Sequence, residues 1–160
     1  MRFAGQQTVM TRTEDISVCD EGLDTVRTRK ASDIRNRVSL VNGTQGAVLV
    51  SIHQNSLPSS PVTHGAQVFW NQQQGGEALA EAVQNVLNST VNTEKAKQSR
   101  AIPKTIYLMN HITAPGILVE CGFLSNEAEA IQLTEPVYQT KLATVIAAGC
   151  LQALAGEDAP

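Results

Sequence analysis

The chain has 160 residues with 12 basic and 15 acidic side chains, a formal charge of −3, and it is 42% hydrophobic and 17% charged, a globular composition sized for one domain over residues 1–160. Cys19, Cys121 and Cys150 are odd in number and widely spaced, which excludes a disulfide framework or a zinc ribbon. The mild negative charge, with one Trp, two Tyr and three Phe, argues against a nucleic-acid partner; no apolar run approaches the ~18 residues that cross a bilayer, and the polar start at Met1 is no secretory signal.

Gln7 to Arg12 is rich in strand formers and follows Gly5, so a first strand is expected there. Asp15 to Arg29 is polar and without period, a surface loop. Ser32 is placed to cap a helix whose apolar positions Ile34, Val38, Leu40 and Val41 recur near helical spacing, with Gly43 ending it. Ala47 to Ile52 is a continuous apolar run, short and β-branched, which predicts a central strand buried on both faces. A loop carrying Pro58 and Pro61 leads to a second strand over 65–70.

Leu79, Val83, Val86 and Leu87 lie at i, i+4, i+7 and i+8, which predicts a helix over 77–88 with one apolar stripe. Two further strands are expected at 105–108 and 117–121. Asn126 caps a short helix through Leu133, and Pro136 opens a last helix carrying Leu142, Val145, Ile146, Gly149, Ala153 and Leu154, closed by Gly156. Alternating strands and helices predict a three-layer α/β domain, a mixed and mostly parallel central sheet flanked by helices.

Polar groups at the ends of apolar strands are where open α/β sheets assemble ligands. His53 ends the run Val48 to Ile52, where an imidazole can hold a metal or move a proton or simply face solvent. Glu120 interrupts the apolar run Ile117 to Cys121, where a carboxylate is paired, protonated or put to use. Cys121 with His53 as its base would make a thiol hydrolase, but strand alternation turns Cys121 to the opposite face from Glu120, into packing. His64 and His111 fall in loops without metal-motif spacing. Arg27, Arg29, Lys30, Arg35 and Arg37 form a basic cluster that helical periodicity puts largely on a solvated face.

The blocks Ser51-Ile52-His53-Gln54-Asn55-Ser56 and Val119-Glu120-Cys121-Gly122-Phe123-Leu124-Ser125-Asn126 together resemble the zinc-dependent N-acetylmuramoyl-L-alanine amidases of the bacterial cell wall. Further matches run in order through Thr11 to Asp15, Arg29 to Ile34, Gly65 to Phe69 and Tyr138 to Ala143, and Gln54 with Ala96-Lys97 is most similar to the germination-specific, spore-cortex type. The resemblance implies hydrolysis of the amide between N-acetylmuramic acid and the L-alanine of the stem peptide, with peptidoglycan or muropeptide as substrate, one zinc ion, His53 as a zinc ligand, Glu120 as the catalytic general base and acid, and a place in the cell envelope or spore cortex. It also implies a first strand ending in Asp-Pro-Gly-His-Gly-Gly and a helix region with a ligand glutamate, and this chain has neither. With two of three ligands absent, the chain alone is expected to be metal-poor and weakly active or inactive, unless His64, His111, Glu14 or Asp15 stands in. The alternative to the enzyme is a non-catalytic muropeptide or cell-wall binding module.

Overall fold

The structure, a computed structural model, describes residue 1 and residues 5–157. Its elements in chain order are α1 (Val26–Asn42), β1 (Leu49–Asn55), β2 (Gln67–Trp70), α2 (Gly76–Thr90), β3 (Arg100–Ala101), α3 (Tyr107–His111), β4 (Gly116–Phe123), α4 (Glu127–Thr134) and α5 (Pro136–Glu157). The sheet order is β1-β4-β2-β3; β1 runs parallel to β4 and β2 parallel to β3, while β2 and β4 are antiparallel.

Side-chain alternation divides the core into two layers. Ile117, Val119 and Cys121 of β4 pack with Val68 against Leu79, Val83 and Leu87 of α2 and Leu142, Ile146 and Cys150 of α5. On the other face, Leu118 and Leu49 pack with Val41 of α1 and Met109 of α3. Helices therefore cover both faces of a mixed sheet, as the alternating pattern predicts. The helices α2, α4 and α5 fall where their apolar stripes and caps put them; Asn126 Oδ1 accepts from the Glu129 backbone N–H at 3.1 Å, and α5 runs past Gly156 to Glu157. Where α5 crosses α2, Gly149 is so close that a Cβ on it would lie 2.6 Å from Val83 Cα.

Several expectations are corrected. Gln7 to Arg12 is not a strand; strand formers need a sheet neighbour, and this segment instead runs irregularly toward α1, where Arg37 Nη1 donates to Thr11 Oγ1 at 2.8 Å. The helix α1 begins inside the expected loop, because Thr25 and Thr28 cap each other's backbone N–H groups. Ser32 is thus mid-helix and buried, and its hydroxyl donates to Asp20 Oδ2 at 2.7 Å. The run 47–52 becomes the edge strand β1, with Ile52 53% exposed; the strand buried on both faces between two neighbours is β4. Residues 105–108 are not a strand: Tyr107 starts the short α3, whose Met109 plugs the second core layer. The two-residue β3 carries no sequence signal of its own.

Candidate functional site

Leu49 and Leu118 face the α1 and α3 layer, so Ser51 and His53 on β1 and Glu120 on β4 face the same way by the two-residue period. The ladder places His53 opposite Glu120 on one side and Gln67 of β2 opposite Glu120 on the other. The carboxylate is therefore flanked on one sheet face by an imidazole and a carboxamide, near the carboxyl ends of the parallel pair, where such sheets bind ligands. The two residues singled out from sequence are brought together. Ser51 Oγ shares a 3.0 Å hydrogen bond with His53 Nε2, and Gln67 Nε2 donates to the Gln98 carbonyl at 2.9 Å.

The electrostatics of the pair are asymmetric. His53 is exposed, whereas Glu120 is half-buried and its Oε2 is shielded from solvent without a hydrogen-bond partner. Burial pushes the Glu120 carboxyl above its ordinary value, and the nearby His53 opposes that shift. An orphaned buried oxygen is costly to the fold and suited to taking up a proton.

Directly after Glu120 the register between β1 and β4 slips by one residue, so that Asn55 pairs with Phe123. Such a bulge bends a strand and re-aims its side chains. It is held by Glu129 of α4, a buried carboxylate whose Oε2 accepts from Phe123 N and whose Oε1 accepts from Gly65 N, both at 2.7 Å. Glu129 thereby joins the end of β4 to the start of the β2 segment. Sequence reasoning missed Glu129, Ser51 and Gln67; Gly122 within an apolar strand was the available signal for the bulge, since a Cβ there would meet Glu129 Oε1 at 3.1 Å.

The remaining candidates lie elsewhere. Cys121 is buried in the opposite core layer with its thiol pushed up to about 11 by burial and by Glu120, so it is packing. His64 is exposed, with Nδ1 against the Val62 carbonyl and Nε2 3.8 Å from Glu94; His111 stacks on Tyr107. Arg27, Arg29, Lys30 and Arg35 are exposed; Arg29 interacts with the Cys19 thiol, and Arg37 is engaged with Asp33 and Thr11. Glu14, Asp15 and His53 line a groove of about 760 Å³ between the N-terminal segment, α1 and the outer edge of β1.

A catalytic zinc takes three protein ligands and leaves a position for water. Among the described residues no group of three or more His, Cys, Asp or Glu side chains is arranged to hold a metal ion, so neither His64, His111, Glu14 nor Asp15 completes a set around His53. The pair fits one nitrogen donor and one proton carrier, and falls short of a full zinc site. No helix among the described residues is long and apolar enough to cross a membrane.

Residues 1–152 match the family model described as N-acetylmuramoyl-L-alanine amidase. The germination-specific N-acetylmuramoyl-L-alanine amidase of Bacillus subtilis (strain 168) is 37% identical over 150 residues, covering 92% of this chain and 62% of the relative, so the chain spans about three fifths of that protein's length. The CwlD amidase from Clostridioides difficile, solved in complex with the GerS lipoprotein, superposes with a TM-score of 0.90 at 30% identity, over 96% of this chain and 78% of that one. The amidase AmiC2 of Nostoc punctiforme matches 75% of this chain and 64% of its own with a TM-score of 0.67 and 31% identity. With its residues matched nearly end to end and its two site residues on facing positions of β1 and β4, the chain belongs to the N-acetylmuramoyl-L-alanine amidase family.

Proposed function

We propose that residues 1–160 form one amidase domain acting on peptidoglycan or its muropeptides in the cell envelope, at the amide between N-acetylmuramic acid and L-alanine. The similarity to a germination-specific amidase supports the spore cortex as the setting. The observation that carries the reading is the orphaned, buried Oε2 of Glu120 beside His53.

In this reading Glu120 is the proton carrier. Its raised affinity for protons lets it take one from the attacking water and return it to the departing L-alanine amine as the C–N bond breaks. His53 presents one nitrogen donor toward zinc, with its ring held by Ser51. Zinc, when bound, supplies a polarising charge at the amide carbonyl and a more acidic water. The described residues supply one donor for that ion, so the chain on its own holds zinc weakly.

The test is digestion of purified peptidoglycan with zinc present, following new amino groups of L-alanine, with wild type, Glu120→Gln and His53→Ala in parallel. Glu120→Gln is expected to lower release at least about a hundredfold. Release undiminished in that variant contradicts the assignment. The shortage of metal donors favours a second reading, a muropeptide-binding module, for which the wild-type chain binds peptidoglycan and releases nothing.

A further inference from the structure

Lys97 lies at the same end of the sheet as the Glu120 pocket and belongs to no part of the chemistry described so far. Its backbone is clamped from both sides by the side chain of Asn88 near the end of α2: Lys97 N donates to Asn88 Oδ1 at 3.0 Å and Asn88 Nδ2 donates to the Lys97 carbonyl at 2.8 Å. Asn92 ties the same corner to the β2 segment through Ala66. The aliphatic stem packs on Gly65, where a Cβ would lie 2.9 Å from Lys97 Cε. This position, with its φ of +93°, is open to glycine for both reasons.

The stem carries the ammonium over the face of Phe123, 4.6 Å from the ring centroid. Burial disfavours its charge, and Glu129 opposes that effect from a distance. Glu129 is not its ion-pair partner: both carboxylate oxygens are committed to Gly65 N and Phe123 N, and among the described residues no carboxylate lies within 4.0 Å of Lys97. A half-buried ammonium with a fixed backbone, a ring beneath it and its hydrogen-bonding capacity unfilled is a receptor for an anion.

Its distance from the pocket limits the choice of anion. Phe123 lies beyond the bulge, level with Asn55 and so two β1 residues past the His53–Glu120 pair, about 7 Å along the sheet, a span of about two extended peptide residues. Gln98, the neighbour of Lys97, is bonded by Gln67, which itself flanks Glu120. We propose that Lys97 binds a carboxylate of the stem peptide, on an acidic residue beyond the L-alanine, and so selects acidic over amidated peptides. This rests on the amidase reading of the Glu120 pocket and adds a specificity determinant to it.

Isothermal titration of the full chain with N-acetylmuramoyl-L-alanyl-D-glutamate and with its diamide tests the proposal. A charge-assisted hydrogen bond predicts that wild type binds the diacid about ten- to a hundredfold more tightly than the diamide. Lys97→Gln, checked for an unchanged fold by circular dichroism, should bind both ligands alike at the diamide's affinity, and Lys97→Arg should restore the preference. Equal binding of the two ligands by wild type, or a preference that survives in Lys97→Gln, overturns the role of Lys97 while leaving the amidase reading intact. Binding of neither ligand by wild type overturns both.

Discussion

Truncating Glu129 to alanine tests how the pocket is held in shape. The substitution leaves two buried backbone donors, Gly65 N and Phe123 N, without the acceptors they reach at 2.7 Å. Each orphaned donor costs about 1–3 kcal/mol, and a water entering the vacated space recovers part, so the expected loss is about 2–4 kcal/mol. For a chain of this length, that corresponds to a midpoint about 4–16 °C lower. Glu129→Gln keeps one acceptor but turns an N–H2 group toward a donor, so it should fall between wild type and Glu129→Ala. Urea denaturation at constant m-value reads the loss, and hydrogen exchange should quicken first at the Gly65 and Phe123 amides. A loss below about 1 kcal/mol for Glu129→Ala would refute the argument that these bonds hold the strand ends.

Three other outcomes follow from the same structure. Glu120→Gln should melt higher than wild type at pH 7, since it removes an unpartnered half-buried charge; because the folded carboxyl titrates above its unfolded value of about 4.5, the folded wild type gains protons first as pH falls, and the difference should close as the pH drops toward that value, as a pH series of thermal scans would show. Gly149→Ala forces a methyl to 2.6 Å from Val83 Cα, and despite the better helix propensity of alanine it should destabilise the chain by about 1–3 kcal/mol, read as a lower urea midpoint; an unchanged midpoint would mean that α2 and α5 are free to move apart. A thiol reagent should label only Cys19 in the folded chain and all three cysteines after unfolding, because burial raises Cys121 and Cys150 to about 11 while Cys19 is partly exposed and lowered by bonds to Ser17 and Arg29. Loss of activity on labelling the folded chain at Cys121 would revive the thiol-hydrolase reading.

What was legible in the sequence was what local pattern determines. The stripe Leu79, Val83, Leu87 and the cap at Asn126 each specify an element with little help from the rest of the chain. The side-chain period alone puts Glu120 and Cys121 on opposite faces, and Cys121 packs in the layer under α2 and α5. What was not legible depended on neighbours. The segment 7–12 has strand-forming residues but no strand beside it, and Thr-Ile-Tyr-Leu at 105–108 gives way to α3 because Met109 fills the space under β4. Nothing local distinguishes an edge strand from a central one, so the apolar run 47–52 reads as a central strand, whereas β1 (Leu49–Asn55) forms the edge of the sheet and extends three residues further through His53. Of the site, His53 and Glu120 were visible as polar ends of apolar runs. Glu129 was not, because its helical position is ordinary and its importance comes from two amides 64 and 6 residues away.

The proposed amidase activity turns on the fate of one bond and one proton. Hydrolysis of an N-acetylmuramoyl-L-alanyl peptide by this chain in H2 18O, with zinc added and the products weighed by mass spectrometry, should give a muramoyl carboxylate carrying a single heavy oxygen together with a free L-alanyl amine, and Glu120→Gln should give at least about a hundredfold less of both. Heavy oxygen appearing at a sugar carbon or a different peptide bond, or equal turnover by the variant, would contradict it.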